Sequence, residues 1–289
     1  MFIWLASYPK SGNTLVRSLL AAYFFSKDGN FNFDLIKNIK QFPTIELFES
    51  YGIDVKNQKE VIKNYIKVQD SINQKNIIQF LKTHSYLFNI DGNGFTNLNN
   101  SLGTIYIVRD PRTVVSSSTR FFNISQTEAA NRLINATQMF GDLNSKKSAN
   151  RATVYMGTWN GNYNSWKSFK SNGKYLLIKY EDLISNKKES LKKILKFIYK
   201  LQNINIDSKY FEINEKKFQN VIDSTSFENM QKLEREKGFK ESSTIEKTGE
   251  KITFFNLGPK NDWKKSLDLE IIKKIEKAFK KEMEELGYL

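Results

Sequence analysis

Phe2-Ile3-Trp4-Leu5-Ala6-Ser7-Tyr8-Pro9-Lys10-Ser11-Gly12-Asn13-Thr14 opens the chain and sets the reading of everything after it. Phe2 to Ser7 is an apolar run without polar alternation, as in a strand buried on both faces. Tyr8 and Pro9 end it, because proline has no N–H for a ladder and fixes its own φ. Thr14 to Phe25 carries one charge, Arg17, and predicts a helix pressed into a core. Between strand and helix lies a tight turn holding Lys10, Ser11, Gly12, Asn13 and Thr14. Such a turn aims several backbone N–H groups at one point, and the helix start adds partial positive charge. Gly12 lets an anion approach the main chain, Lys10 brings a full charge, and Ser11 and Thr14 offer hydroxyls. The composition is that of a phosphate cradle. It is not the nucleoside-triphosphate loop GxxxxGK[ST], since the lysine stands two residues before the only glycine.

Further apolar runs follow the same grammar. Ile77–Leu81, Thr104–Val108 and Tyr175–Tyr180 read as strands, and Lys82-Thr83-His84 and Arg109-Asp110-Pro111-Arg112 follow two of them directly. Helices are expected at Asp34–Lys40, Thr44–Tyr51 and Lys56–Gln69, the last with Val61, Ile62, Tyr65, Ile66 and Val68 on one side. More are expected at Thr113–Phe122, Ser125–Phe140, Tyr155–Phe169, Lys187–Leu201, Glu215–Ile222, Phe227–Lys237 and Leu267–Leu286. Gly238 to Gly258 reads as a loop. Apolar strands alternating with helices predict a parallel α/β sheet with right-handed crossovers, and ligands in such sheets bind beyond the carboxyl ends of strands. The polar clusters after the first three strands can therefore share one rim.

The totals narrow the chemistry. With 289 residues, 39% hydrophobic and 13% aromatic, the chain can bury a substantial core. It has no cysteine, which excludes disulfides, thiolate zinc sites and a thiol nucleophile, and its single histidine excludes a multi-histidine metal site. The net charge of +14 points to an anionic partner, although lysine is scattered along the whole sequence. The apolar opening run is too short for a secretory leader and no window reaches the length of a membrane span, so a cytoplasmic location is expected.

Three residues stand out chemically. His84 is the only histidine and directly follows a strand; on position alone a lone histidine is more often structural than catalytic. Lys82 is two residues before it. Arg109 ends a strand, where its guanidinium could grip a phosphate as a bidentate fork or simply help to cap the next helix.

Tyr8-Pro9-Lys10-Ser11-Gly12-Asn13-Thr14 resembles the 5′-phosphosulfate loop of the sulfotransferases that use 3′-phosphoadenosine 5′-phosphosulfate. Asn13 stands where that family has threonine, and Leu15 where a tryptophan stacks on adenine. Lys82-Thr83-His84 resembles the segment whose histidine takes the acceptor's proton and whose lysine lies near the leaving oxygen. The resemblance thus implies His84 as general base, with Lys82 and Lys10 stabilising charge. Ile107 to Ser118 resembles the 3′-phosphate segment, in which an arginine and a serine eight positions later clamp that phosphate, here Arg109 and Ser117. Tyr180-Glu181-Asp182-Leu183 and Thr225-Ser226-Phe227-Glu228-Asn229-Met230 resemble segments at the adenine, implying Tyr180, Thr225 and Phe227. Tyr180 and Phe227 would serve equally as core aromatics. Gly258-Pro259-Lys260-Asn261-Asp262-Trp263-Lys264 resembles the loop that closes over the donor, with Gly258 at the nucleotide, but Asn256-Leu257 replaces its basic pair and removes two phosphate contacts.

The islands run in the family's order from residue 4 to residue 264. They imply one sulfotransferase domain over residues 1–289: an α/β three-layer sandwich with a central, mainly parallel sheet, P-loop-NTPase-like. The implied reaction moves a sulfonate from 3′-phosphoadenosine 5′-phosphosulfate to a hydroxyl or amine on a small molecule or glycan, by in-line displacement, leaving 3′-phosphoadenosine 5′-phosphate. Neither a metal nor nucleic acid is expected. An ATP-dependent P-loop kinase is the alternative that keeps the fold, and a non-catalytic polyanion binder the one that rests on charge alone.

Overall fold

The computed structural model describes residues 1–73, 77–139, 153–204, 214–244 and 248–289. In chain order its first elements are β1 (Phe2–Ser7), α1 (Asn13–Phe25), β2 (Lys40–Gln41), α2 (Ile45–Glu49), α3 (Gln58–Ile72) and β3 (Gln79–Thr83). Next come β4 (Asn89–Ile90), β5 (Asn93–Gly94), β6 (Ser101–Val108), α4 (Pro111–Phe122), α5 (Gln126–Ile134), β7 (Thr137–Met139) and β8 (Val154–Gly157). They are followed by α6 (Trp159–Trp166), β9 (Tyr175–Lys179), α7 (Tyr180–Ser185), α8 (Lys187–Leu201), α9 (Glu215–Ser224) and α10 (Phe227–Lys237). The chain closes with β10 (Ser243–Thr244), β11 (Lys251–Ile252), α11 (Trp263–Ser266) and α12 (Leu269–Glu285). No described helix is long and apolar enough to cross a membrane.

The residues fall into two compact units. The first comprises Met1–Pro9, Ile39–Val108 and Asn135–Ile178 and is built on a five-stranded sheet in the order β2-β3-β1-β6-β9. All six residues of β1 are buried, as its unbroken apolar run requires. It is parallel to β3, with Leu5 opposite Lys82, and to β6, with Leu5 opposite Ile105. Helix α6 packs against β1 and β6. Trp4 is the hub of this core: rings of Phe2, Phe42, Phe95 and Trp166 lie 5.1–6.1 Å from it, and its Nε1 donates to Ser101 Oγ at 2.8 Å. The indole thus buries its full apolar surface without stranding its one donor. The apolar face expected for α3 is present, with Val61, Ile62, Tyr65 and Val68 buried, and Asn57 accepts from Glu60 N at its start.

The second unit comprises Lys10–Asn38, Arg109–Ile134 and Lys179–Leu289 and is largely helical. In α1, Val16, Leu19, Leu20, Ala21 and Ala22 are buried. In α12, Ile271, Ile275, Phe279 and Met283 repeat every four residues on the covered side. Asp110 caps α4 by accepting from Arg112 N, with Pro111 in the first turn where its missing N–H costs nothing.

Four expected spans are corrected. Ser125–Phe140 is not one helix: α5 stops at Ile134, and Thr137–Met139 pairs antiparallel with β8, while Phe140 lies outside the described residues. The helix expected from Tyr155 starts only at Trp159, because Gly157 turns the chain at φ 66° and Thr158 caps the helix by accepting from Gly161 N at 3.0 Å. Asp34–Lys40 gives a single 3-10 turn at Leu35–Asn38, and Lys40 already pairs with Leu81 at the sheet edge. The Gly238–Gly258 loop contains the short antiparallel pair β10–β11; residues 245–247 of it are outside the described set.

Candidate functional site

The turn after β1 is shaped as a cradle within the second unit. Lys10 has φ 65° and Gly12 φ 101°, so two left-handed residues within three positions fold the main chain back on itself. Gly12 precedes α1, whose start has no side-chain cap and no acidic residue in its first turn. A Cβ on Gly12 would stand 2.5 Å from Tyr180 Cδ2, so the ring at the start of α7 lies directly on the loop. The guanidinium of Arg109 stacks on that same ring, 4.0 Å from its centroid, and Nη1 donates to Lys10 O at 3.0 Å. Tyr180 and Arg109 therefore brace the turn from its own unit.

Two donors inside this cradle have no acceptor. Ser11 Oγ and Arg109 Nε are buried and make no hydrogen bond to the described residues. Burial pulls the Arg109 guanidinium below its ordinary value, against the charge of Glu181 and Asp110, and pushes the Tyr180 phenol up. Buried donors without partners cost stability unless an anion or water satisfies them. Ser11 stands just before an uncapped helix start, which fits a phosphate group.

The other expected contacts divide clearly. On α4, Ser116 is already committed, bonding Asn261 Oδ1 at 2.9 Å and Ser266 Oγ at 2.8 Å, whereas Ser117 is half-buried and makes no hydrogen bond to the described residues. Ser117, the position eight after Arg109, is thus uncommitted, and so is the buried Ser118, whose hydroxyl also makes no hydrogen bond to the described residues. Thr225 is fully buried and its hydroxyl donates to Val221 O at 2.7 Å, ending α9; no described contact brings it to the cradle. Phe227 lies against the main chain of Gly258, where a Cβ would stand 2.2 Å from its Cε2 and φ is 50°. Those two residues define one corner. Asn13 and Thr14 are buried in the first turn of α1, and Leu15 beside them is half-buried.

Lys10 carries its ammonium over two rings, 3.4 Å from the Phe121 centroid and 4.4 Å from that of Phe254. Neither ring was singled out by the sequence. The available signal was a pair, Phe254-Phe255, lying just before the glycine of the closing loop. The segment Asn261–Trp263 is pinned to α4 by Ser116 and by Arg112, whose guanidinium stacks 3.9 Å from the Trp263 ring. Asn256, Lys251 and Lys260 are exposed.

In the first unit, His84 follows β3 and is half-buried. Its Nδ1 lies 2.8 Å from Ser7 O and 3.2 Å from Ser7 Oγ. A carbonyl oxygen only accepts, so the neutral ring holds its proton on Nδ1 and its lone pair on Nε2. Asn162 of α6 fixes the backbone, donating to His84 O at 2.9 Å while its Oδ1 accepts from Tyr106 at 2.8 Å. Lys82 is buried in β3, and its carbonyl accepts from Phe42 N at 2.9 Å. Ser7 is three residues before Lys10 in the sequence.

Comparison with known proteins places this architecture. The sulfotransferase domain family matches residues 2–287. An amine sulfotransferase from rabbit (Oryctolagus cuniculus) is 21% identical over 286 residues, 98% of this chain and 81% of that protein. A mouse sulfotransferase complexed with PAP shares the fold at TM-score 0.56 and 19% identity, covering 98% of this chain and 84% of its own. Retinol dehydratase in a complex with retinol and PAP does so at TM-score 0.58 and 17% identity, covering 98% and 81%.

Proposed function

The chain belongs to the sulfotransferase family, and from that premise we propose that it moves a sulfonate from 3′-phosphoadenosine 5′-phosphosulfate to a hydroxyl or amine of a small molecule or glycan. The observation that carries the donor assignment is the pair of buried, acceptor-less groups, Ser11 Oγ just before the uncapped start of α1 and Arg109 Nε on the guanidinium that holds Lys10 O. A nucleotide bearing phosphate at both its 5′ and 3′ positions would satisfy both.

In this reading Lys10, Ser11, Gly12, Asn13 and Thr14 hold the 5′-phosphate, Arg109 and Ser117 the 3′-phosphate, and Tyr180, Phe227 and Gly258 the adenine side. Thr225 contributes by setting the α9–α10 corner that carries Phe227. The bound donor supplies an activated sulfonate whose S–O bond to the 5′-phosphate breaks as the new bond to the acceptor forms. His84 takes the acceptor's proton at Nε2 while Ser7 O holds Nδ1–H, so the imidazolium formed keeps its hydrogen bond. Lys10 and Lys82 stabilise negative charge as it builds on the bridging oxygen. The roles draw on residues 1–289 as one catalytic domain.

Calorimetry decides the donor class. 3′-Phosphoadenosine 5′-phosphate should bind at least tenfold more tightly than adenosine 5′-phosphate, and Arg109→Ala should remove most of that difference. Equal affinity for the two nucleotides, or magnesium-dependent ATP turnover in its place, overturns the assignment. Labelled donor offered with alcohols and with amines then sorts the acceptor.

A further inference from the structure

We propose that Phe121 and Phe254 are positioning residues for Lys10, and that Glu234 and Gln231 of α10 hold Phe254 where it can act. The proposal rests on the reading that Lys10 meets the donor's phosphosulfate, and it concerns how this chain prepares that contact. A lysine arm loses more rotamer freedom than most side chains when it is fixed, so an unordered lysine spends much of its binding energy on ordering itself. Here both ends of Lys10 are set in advance. Its carbonyl is held by Arg109 Nη1 at 3.0 Å, and its ammonium lies over the faces of Phe121 and Phe254 at 3.4 and 4.4 Å. Those two rings meet edge to face, 5.6 Å apart, and so present their faces in different directions to one cation.

Phe254 is itself held by a two-pronged clasp. Glu234, buried on α10, accepts from Phe254 N at 2.7 Å and Phe255 N at 2.9 Å, with Ser242 Oγ donating a third bond at 2.6 Å. Gln231, one turn earlier on the same helix, donates Nε2 to Phe255 O at 2.8 Å and Asn256 O at 2.9 Å. Every one of these bonds is to main chain or to Ser242, so the clasp sets the path of residues 254–256 and leaves the ring of Phe254 to the ammonium. Phe239 packs behind it at 4.9 Å. The same segment carries Asn256 and Leu257 where the family resemblance expects two cations. A lysine fixed from both ends offsets part of that loss, because less freedom remains to be surrendered on binding.

The test is a double-mutant cycle read by calorimetry with 3′-phosphoadenosine 5′-phosphate, with thermal unfolding of each variant alongside. Lys10→Met should weaken binding tenfold or more. Phe254→Leu should weaken it about five- to tenfold in the wild-type background and less than twofold in the Lys10→Met background. Phe254→Tyr, which restores an aromatic face, should recover most of the affinity, and Glu234→Gln, which puts a donor amide against two N–H groups, should reproduce Phe254→Leu. Equal losses from Phe254→Leu in both backgrounds mean the ring acts on the nucleotide directly or only on the fold, and overturn the proposal. So does unchanged or tighter binding by Phe254→Leu when Lys10→Met is weakened. If Lys10→Met itself binds as wild type, the donor role of Lys10 falls, and this inference falls with it.

Discussion

At His84 the nitrogen nearer the main chain decides which one can do chemistry. Ser7 O sits 2.8 Å from Nδ1 and can only accept, so the proton is kept there and Nε2, the nitrogen proposed as base, carries the lone pair of the neutral ring. Asn162 reinforces this by holding the His84 carbonyl, so the ring is oriented by its own β3–α6 surroundings. His84→Ala is therefore expected to lower turnover by two to four orders of magnitude, the usual contribution of a general base. Binding of 3′-phosphoadenosine 5′-phosphate should stay within about twofold, because the residues proposed to hold its 3′-phosphate, its adenine and the cradled 5′-phosphate lie in the other unit. Steady-state rates with labelled donor and calorimetry on the same preparation measure both quantities. Turnover within tenfold of wild type removes His84 from the reaction.

Helix α4 shows how an element is fixed at its start by a buried ionic group. Arg112 bonds Asp110 at 2.7 Å, Glu276 of α12 at 2.6 Å and Tyr288 O at 2.7 Å, while its flat face covers Trp263 at 3.9 Å. Glu181 joins the group, accepting from Asp110 N at 3.0 Å and from the Tyr288 hydroxyl at 2.9 Å. Removing one member of a buried ionic group strands the others, at a cost of about 3–5 kcal/mol. Arg112→Met should lower the urea midpoint accordingly, whereas Lys280→Ala, which breaks an exposed pair with Glu284, should change stability by less than about 1 kcal/mol. Comparable midpoints for the two variants contradict the buried-network account. Elements like α4 and β1 are legible in the sequence because their signals are local: an Asp-Pro start, an unbroken apolar run. The β7–β8 pair is not, because its strands are short, far apart in sequence and rich in residues that suit either period. The same distinction holds at the site. Lys10, Ser11, Gly12, His84 and Arg109 are visible as residue types after strand ends, while Phe254, Glu234 and Gln231 act through contacts that only the folded chain brings together. Ser117 shows the intermediate case: spacing alone selects it from three serines, and the engagement of Ser116 with Asn261 sets aside one of the other two.

On the scale of the whole molecule, the residues proposed for the nucleotide come from three separate stretches, around residues 10–14, 109–117 and 180–258, and all lie in the second unit. Lys82 and His84 lie in the first unit, Lys82 on the strand paired with β1 and His84 directly after it. A ligand that binds only the folded cradle stabilises it by mass action, about 2.7 kcal/mol at a concentration one hundred times its Kd. On the scaling for large domains this raises the unfolding midpoint by about 5–10 °C. Hydrogen exchange then shows where that energy is held. With 3′-phosphoadenosine 5′-phosphate, amides of residues 10–14, 109–117 and 253–258 should slow together, though they are distant in sequence, because one ligand closes all three stretches at once. Amides of α3, which belongs to the first unit, should slow far less. The pattern should persist in His84→Ala and vanish in a Lys10→Met, Arg109→Ala double variant. Protection spread evenly over both units, or retained when Lys10 and Arg109 are both removed, would place the nucleotide elsewhere.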